Sequence, residues 1–369
     1  MEHITKFLEC LAPSSVCNIK CDYCYLIQQN RRGMKNPPWN YPVTHIAKAL
    51  SKKRLGGMAY ISICGLGETL VDDNVTELAH LLLAEGHAVN ITTNGTLAQK
   101  FDKLLSCPEE YLKRLNVSFS FHYIELRKRN LLDTFFENIN KVRKAGCSFV
   151  LQLNLYDGYM PYIDEIKKIS MEKVGAYPQI ALTRKQFESD GKTEYSIYTE
   201  CGEDNYISKA REFNSPLFEC TLENFNVERN EFCYAGLWSG VLNLRTGGFS
   251  KCYNFEEVNI FDDIEKPIPF APVGNHCKCS YCVNSSHFMS LGVIPESHTQ
   301  TYEALRNRSE VPWYNDTMKE LLSHKFSEYL PVLSKQEKKR ANANELLREI
   351  KVLFFRALRK IKKLLRGDQ

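Results

Sequence analysis

Short apolar runs alternate with amphipathic stretches along the first half of the chain. Runs rich in β-branched, aromatic and leucine residues predict strands at 6–11, 59–64, 88–92, 115–121, 149–155 and 179–183. Between them, apolar residues recur every three or four positions and predict helices at 44–54, 74–85, 97–105, 131–145 and 162–170. This alternation indicates successive βα units, and therefore a parallel sheet.

Two of the predicted strands carry polar residues on one face only. Ser118, Ser120 and His122 alternate with apolar residues, and so do Gln152 and Asn154 in the next strand. If the sheet closes into a barrel, one face of each strand points into the lumen and the other packs against helices. Apolar residues suit the helix side, so we expect these five polar side chains to face the lumen.

The second half of the chain has a less regular pattern. Residues 185–232 are mixed and polar, and we interpret them as a connector that covers a substrate. Residues 233–290 hold five of the fourteen cysteines, and residues 314–329 and 336–366 predict helices. The expected organisation is a barrel at 1–184, the connector at 185–232, a cysteine-rich domain at 233–290 and a helical tail at 291–369.

The positive charge of the chain belongs to this tail. The net charge is +4, but residues 335–369 alone carry +8, so the rest of the chain is net negative. The body therefore offers no basic face that would favour nucleic acid. Residues 346–366 alternate apolar and basic positions at helical spacing, which is typical of helices at an anionic membrane surface. The alternative is a helix that packs on the barrel and exposes a solvated basic face.

The cysteines indicate reduced thiols and metal ligation. The N-terminus carries no apolar signal segment, so we expect a cytoplasmic protein, with peripheral contact at the inner membrane face through residues 346–366. Cys17, Cys21 and Cys24 place three thiols within eight residues. Three thiolates can bind three corners of a cubane iron–sulfur cluster and leave the fourth iron open for another ligand. Zinc usually requires four ligands and a disulfide an oxidising compartment, so both alternatives are weaker here.

The spacing C-x3-C-x2-C, with an aromatic residue before the last cysteine, resembles the signature loop of the radical S-adenosylmethionine (radical SAM) superfamily. The resemblance implies an α/β fold with a partial (β/α)6 TIM-like barrel, and a [4Fe-4S] cluster whose free iron takes the amine and carboxylate of SAM. It also implies an external electron donor of the flavodoxin or ferredoxin type.

A glycine-rich turn follows the second predicted strand. Gly65, Gly67 and Glu68 resemble the family's Gly-Gly-Glu motif, which binds the SAM amine, although Leu66 intervenes and Thr69 stands where proline is common. The resemblance further implies that Ser118, Ser120, Gln152 and Asn154 contact the SAM ribose and carboxylate. Asn94 either joins them or simply forms a turn with the following glycine. His122 is either a general base or a hydrogen-bonded wall residue.

The second cysteine group also resembles a known pattern. Cys233 and Cys252 flank Gly247, and Cys279 and Cys282 form a C-x2-C pair, as in the SPASM and twitch auxiliary-cluster domains of radical SAM enzymes. A full SPASM domain needs three further cysteines, so the resemblance is to the twitch type with one auxiliary [4Fe-4S] cluster. Four thiolates would saturate such a cluster, which suits electron transfer.

Three alternatives remain open for this second group. Cys277 could replace Cys279 as a ligand, and Cys220 could replace Cys233. A zinc ribbon with four cysteine ligands is the third.

Together these features predict a radical SAM enzyme that forms a 5′-deoxyadenosyl radical and abstracts hydrogen from a carbohydrate-like or small-molecule substrate, by oxidation, epimerisation or rearrangement. One alternative is modification of a peptide or protein. An alternative of another class is a non-catalytic iron–sulfur redox or regulatory protein.

Overall fold

The computed structural model describes residues 2–189, 192–279 and 281–366. The strands in these residues are β1 (Ile4–Ala12), β2 (Met58–Gly65), β3 (Ala88–Thr93), β4 (Leu115–Ser120), β5 (Ser148–Leu155), β6 (Gln179–Leu182), β7 (Arg184–Ser189), β8 (Lys192–Ile197), β9 (Ser239–Asn243), β10 (Gly248–Ser250) and β11 (Val258–Asn259). The first six lie where the apolar runs predict them, to within two residues at either end.

The α-helices are α1 (Tyr25–Gln28), α2 (Val43–Ala49), α3 (Lys52–Leu55), α4 (Asp73–Glu85), α5 (Ala98–Leu104), α6 (Glu109–Leu112), α7 (Tyr123–Lys128), α8 (Leu132–Lys144), α9 (Ile163–Val174), α10 (Glu203–Arg211), α11 (Pro216–Glu223), α12 (Ser285–Phe288), α13 (Tyr302–Arg306), α14 (Asp316–Leu322) and α15 (Lys335–Arg366). Short 3₁₀ helices lie at Thr69–Val71, Asp157–Tyr162 and Phe326–Glu328. None of the described helices is both long and apolar enough to cross a membrane.

A mostly parallel sheet forms the centre of the α/β fold. Its strand order is β11-β10-β9-β1-β2-β3-β4-β5-β6, in which β1 to β6 run parallel and β9 runs parallel to β1. The strands β10 and β11 are antiparallel additions at one edge. The cysteine-rich region therefore contributes strands to the same sheet as the βα units, which the sequence pattern does not indicate.

The helix expected at 44–54 is wrong as a single element, because it is broken into α2 and α3. The carbonyl of Leu50 accepts a hydrogen bond from Nε2 of the buried His87, at 2.8 Å. Ser51 adopts an extended conformation, and the N–H of Arg54 donates to Ser51. A tertiary hydrogen bond thus takes the carbonyl that a continuous helix would use.

The helix expected at 314–329 is also wrong as a single element. It ends as α14 at Leu322, and a short 3₁₀ helix follows. The N–H of Phe326 donates to the carbonyl of Leu291, at 2.8 Å, which fixes this segment against a distant loop.

The first half of α15 packs on the cysteine-rich region. Lys251 and Glu345 form an ion pair in which both side chains are buried, and Asn342 donates a hydrogen bond to Asn275, at 2.7 Å. Leu346 and Leu347 are exposed on the same helix, at 50% and 57% of their surface. The side chains at 351–353 and 355–366, which carry most of the predicted basic face, lie outside the described residues.

Candidate active site

A loop after β1 carries Cys17, Cys21 and Cys24, and we call residues 17–24 the cysteine loop. The N–H of Cys24 donates to the carbonyl of Cys21 at 3.1 Å, and α1 begins directly after Cys24. Arg32 donates from Nη2 to the carbonyl of Cys17, at 2.7 Å. Burial, followed by the charges of Cys17 and Cys24, raises the pKa of Cys21. The three thiols therefore lie close enough to act on one another electrostatically.

The turn after β2 lies directly against the residues that precede the cysteine loop. The N–H of Gly67 donates to the carbonyl of Ser14, and the N–H of Glu68 donates to the carbonyl of Val16, at 2.8 Å. A Cβ on Gly67 would lie 2.2 Å from the Val16 carbonyl oxygen, and one on Gly65 would lie 3.0 Å from the Ser14 Cβ. Gly67 is therefore required for this close approach, and Gly65 leaves room for only a tight contact with Ser14.

Glu68 holds this turn to the end of β3. Only 2% of its surface is exposed. Its carboxylate accepts hydrogen bonds from Thr93 Oγ1 at 2.6 Å, from the Asn94 N–H at 2.7 Å and from the Leu70 N–H at 3.0 Å. Burial raises the pKa of Glu68, and these three hydrogen bonds lower it. The carboxylate is thus bonded to protein donors, and its contact with the SAM amine stays a prediction.

Asn94 lies in a turn and also contacts the cysteine loop, and its contact with SAM stays a prediction. Gly95 has a φ of +72°, as expected for a turn. The Asn94 side chain also donates to Asn18 Oδ1 at 2.8 Å and lies 3.8 Å from the Cys17 sulfur. A continuous set of hydrogen bonds therefore links Glu68 through Asn94 to the cysteine loop.

The polar face of the sheet is arranged as the period-two pattern predicts. Ser118, Ser120, Gln152 and Asn154 are half-buried, whereas the apolar residues between them are fully buried. Ser118 Oγ donates to Asn90 Oδ1 at 2.8 Å, which extends a polar row across neighbouring strands. These side chains lie on one face of β4 and β5, and their contact with SAM stays a prediction.

His122 is the N-cap residue of α7 and contacts the cysteine loop. Its Nδ1 is 2.6 Å from the hydroxyl of Tyr23, which in turn is 3.3 Å from the hydroxyl of Tyr159. Burial lowers the pKa of His122 to about 4, so the ring is neutral near pH 7. These contacts favour the interpretation of His122 as a hydrogen-bonded residue of the site wall. Its role as a general base stays a prediction.

Residues 11–168 match the family model described as the radical SAM superfamily. This segment of the chain is therefore similar to a radical SAM domain. The match spans the cysteine loop, the Gly65–Glu68 turn and β2 to β5, and the cofactors of such a domain are a [4Fe-4S] cluster and SAM. No protein of curated function matches the chain.

Two solved structures resemble the chain distantly. Native anSMEcpe with bound AdoMet has a TM-score of 0.49 and 17% identity over 87% of this chain and 96% of its own. Streptococcus suis SuiB bound to S-adenosylmethionine has a TM-score of 0.47 and 17% identity over 72% of this chain and 67% of its own. At these TM-scores the likeness is too distant to indicate a shared reaction or substrate.

The donor set of the radical SAM domain fits its cluster. Three thiols lie on one short loop, and Asn94 contacts the sulfur of the first. In the described part of the chain, no three His, Cys, Asp or Glu side chains stand close enough to hold a single metal ion. A cubane is larger than one ion, so its thiolates are held further apart. Cys17, Cys21 and Cys24 are the residues that would hold it.

The second group of cysteines meets at one pocket, although its members are distant in sequence. Cys233, Cys252, Cys277, Cys279 and Cys282 all line it, and we call it the cysteine pocket. Burial, followed by the charges of neighbouring thiols, raises the pKa of Cys252. The spacing pattern therefore identified a set of residues that the fold brings together.

The surroundings of Cys277 and Cys279 favour Cys279 as the fourth ligand of an auxiliary cluster. Cys279 is half-buried and accepts a hydrogen bond from Asn254 Nδ2 at 3.5 Å, whereas Cys277 is exposed. A hydrogen bond between the two lowers the pKa of Cys277 and raises that of Cys279. Cys220 lies on α11 and does not line the pocket.

Sequence reasoning missed the residues that join the radical SAM domain to the cysteine pocket. Asn284 Nδ2 donates to Glu9 Oε2 at 2.7 Å and lies 3.0 Å from the Tyr253 hydroxyl. The one available signal was Glu9 itself, a carboxylate that stands between the apolar residues Leu8 and Cys10 in β1. Its two partners follow Cys252 and Cys282, but nothing in the spacing indicates that they turn toward β1.

Proposed function

We propose that the chain is a radical SAM enzyme that abstracts hydrogen from a carbohydrate-like or similarly polar small molecule, assisted by one auxiliary cluster and an external electron donor. The observation that carries this proposal is the bonded path from Glu68 through Asn94 to the cysteine loop. This path links the turn after β2 to the loop that carries the three thiols, which supports a shared site for the cluster and SAM.

The protein's own residues supply position and exclusion of water. Cys17, Cys21 and Cys24 would hold the cluster, which together with SAM would supply radical chemistry for abstraction of hydrogen from a C–H bond. Gly65 and Gly67 allow the turn to approach the cysteine loop, and Glu68 fixes that turn to β3. The buried contacts of Tyr23 and His122 close one side of the loop.

The cysteine pocket supports an auxiliary cluster. Five thiols line it, which is enough to provide four ligands with one to spare. Its wall reaches Glu9 on β1 through Asn284, so a cluster held there would lie beside the barrel face that carries the polar row. That position suits transfer of an electron to or from a substrate radical.

The uncharged character of the polar row favours a substrate rich in hydroxyl groups. Ser118, Ser120, Gln152 and Asn154 are half-buried and retain accessible surface, and Ser118 is held by a hydrogen bond of 2.8 Å to the buried Asn90. Hydroxyl and amide groups both donate and accept, so they match sugar hydroxyls without requiring a charge on the ligand. A peptide substrate is the competing outcome of the test below.

The experiment is an anaerobic assay of SAM cleavage by reconstituted protein with dithionite. We expect wild-type protein to form 5′-deoxyadenosine, Cys24→Ala to form none, and the control Cys107→Ser, a half-buried thiol beyond α5, to match wild type. Absence of the product from wild-type protein that holds iron and sulfide would overturn the enzyme proposal. If peptides but not sugars accelerate the formation of 5′-deoxyadenosine, a peptide would replace the carbohydrate as the proposed substrate.

We also propose that residues 346–366 of α15 contact an anionic membrane surface, through exposed apolar residues and the basic residues that follow them. Leu346, Leu347 and Ile350 are each at least half exposed on a helix whose first half is anchored by Lys251 and Glu345. An anchored helix with an exposed apolar face presents that face in a fixed direction. Its sequence continues with seven Lys or Arg residues between 351 and 366, which favours anionic lipid.

A further inference from the structure

Glu9 lies on the polar face of the sheet, below the cysteine loop. In the register of the parallel strands it pairs with Ser62 of β2, which continues to Asn90 of β3 and Asn116 of β4. Residues paired in this way share a face, so Glu9 belongs to the same row as the uncharged polar residues. It is the one carboxylate in that row.

The surroundings of Glu9 indicate a concave, water-accessible space. The side chain is half-buried and so retains accessible surface, yet enclosure by protein is sufficient to raise its pKa. The same combination recurs at Cys64, which is half-buried and has a pKa raised by burial and then by the charge of Glu9. Surface that is accessible but surrounded by protein is the surface of a cavity.

The cysteine pocket contributes one wall of this space. Asn284 holds one oxygen of Glu9 at 2.7 Å, and its own Oδ1 is fixed by His287 Nδ1 at 2.6 Å. Tyr253, directly after Cys252, hydrogen-bonds to both Asn284 and Glu9. Arg184, the first residue of β7, donates to the carbonyl of Val283 at 2.6 Å and lowers the pKa of Glu9 by its charge.

Residues close to the cysteine loop share this face of the sheet. Cys64 of β2 pairs with Leu11 of β1, so it lies on the same face as Glu9 and one step nearer the cysteine loop. Tyr25 directly follows Cys24, and 47% of its surface is exposed. Glu9 therefore contacts residues of the cysteine pocket and lies on the face of the sheet that leads to the cysteine loop.

We propose that Glu9 binds the substrate, and that its carboxylate accepts hydrogen bonds from a hydroxyl or amine group in a site between Tyr25, Cys64, Tyr253 and Asn284. An ionised carboxylate has about four acceptor positions. Asn284 and Tyr253 fill two of them. A partly enclosed carboxylate stabilises ligands that donate hydrogen bonds and repels anionic ones. This inference rests on the proposed function, because it names the chemistry that the same active site selects.

The test compares Glu9→Gln with the control Glu77→Gln, which alters an exposed residue of α4. The probes are methyl glucoside, glucosamine, glucuronate and a lysine-containing pentapeptide. Their binding to cluster-free protein is measured by calorimetry, and their effect on the rate of 5′-deoxyadenosine formation is measured with reconstituted protein. Thermal unfolding of each variant checks that Gln, which has the same shape as Glu, leaves the fold intact.

We expect methyl glucoside, glucosamine or the lysine-containing pentapeptide to bind wild-type protein, and Glu9→Gln to raise the dissociation constant and KM of that probe about tenfold or more. Glu77→Gln is expected to match wild type. Binding of glucuronate alone, binding of no probe, or equal constants in the two variants would overturn the role of Glu9. If reconstituted wild-type protein forms no 5′-deoxyadenosine in the absence of probes, that result would instead refute the proposed function.

Discussion

The carboxylate of Glu68 accepts a hydrogen bond from the backbone N–H of Asn94, with 2.7 Å between Oε2 and the nitrogen. This bond joins the turn after β2 to the turn after β3. Asn94 passes the connection to Asn18 inside the cysteine loop, at 2.8 Å. The position of three thiols therefore depends on a carboxylate that lies 44 residues beyond Cys24 in the sequence.

Glu68→Ala is expected to destabilise the protein and the cysteine loop together. The substitution removes the acceptor of three buried hydrogen bonds. The donors at Leu70, Thr93 and Asn94 then lack that carboxylate as a partner. We expect the free energy of unfolding in urea to fall by about 3 kcal/mol. Iron incorporated on reconstitution should fall as well. The control Glu77→Ala should change stability by less than about 0.5 kcal/mol, and equal stability of the two variants would refute the role of Glu68.

The stability of the chain should decrease as the pH falls from about 6.5 to 4, and His87 is one source. The ring is fully buried, where Nδ1 accepts from the Ala59 N–H and Nε2 donates to the Leu50 carbonyl. Burial lowers its pKa from 6.5 to about 4. The unfolded chain therefore takes up a proton first as the pH falls, which favours unfolding by up to about 3 kcal/mol.

His87→Gln provides the matched comparison. Glutamine can accept from Ala59 and donate to Leu50, but it does not titrate. Urea unfolding of wild-type and variant protein at pH 7.5, 6.0 and 5.0 should show a smaller loss of stability for the variant. Parallel curves would show that His87 does not contribute to the pH dependence.

The cysteine pocket should hold its cluster through Cys279 rather than Cys277. The half-buried Cys279 accepts a hydrogen bond from Asn254, and Cys277 is exposed. We expect about eight irons per chain in wild-type protein and in Cys277→Ser, and about four in Cys279→Ser. The reverse result would exchange the two ligands, and zinc in place of the second set of irons would replace the auxiliary cluster with a zinc ribbon.

Removal of residues 351–369 should abolish binding to anionic vesicles. This truncation retains Asn342, Glu345 and Glu349, which contact the cysteine-rich region, so it leaves the anchored half of α15 in place. Co-sedimentation with phosphatidylglycerol vesicles is expected for the full chain and not for the truncated one. Equal pelleting of both would remove the proposed membrane contact, and neutral phosphatidylcholine vesicles provide the control for charge.

Much of the barrel region could be predicted because its elements follow local rules. The strands β1 to β6 are short apolar runs, and the helix α4 begins at the N-cap Asp72 and ends at Gly86, which has a φ of +98°. The split between α2 and α3 could not be predicted, since it depends on a hydrogen bond from His87. A local pattern does not reveal a partner more than thirty residues away.

The candidate site was predictable to a similar extent. The spacing of the cysteines identifies both thiol groups, and alternation identifies the face that carries Ser118 and Asn154. The contact of Asn284 with Glu9 spans 275 positions, and it depends on β9 joining the edge of β1. Only the folded sheet brings these residues together, so the wall of the proposed substrate site was not apparent.

The most direct test of the central claim is the electron paramagnetic resonance spectrum of the dithionite-reduced protein with and without SAM. In a variant in which Cys233, Cys252, Cys279 and Cys282 are replaced by alanine, only the cluster of the cysteine loop remains. We expect SAM to change its spectrum, because the open iron of that cluster gains new ligands. An unchanged spectrum at saturating SAM, from protein that holds about four irons per chain, would contradict the account.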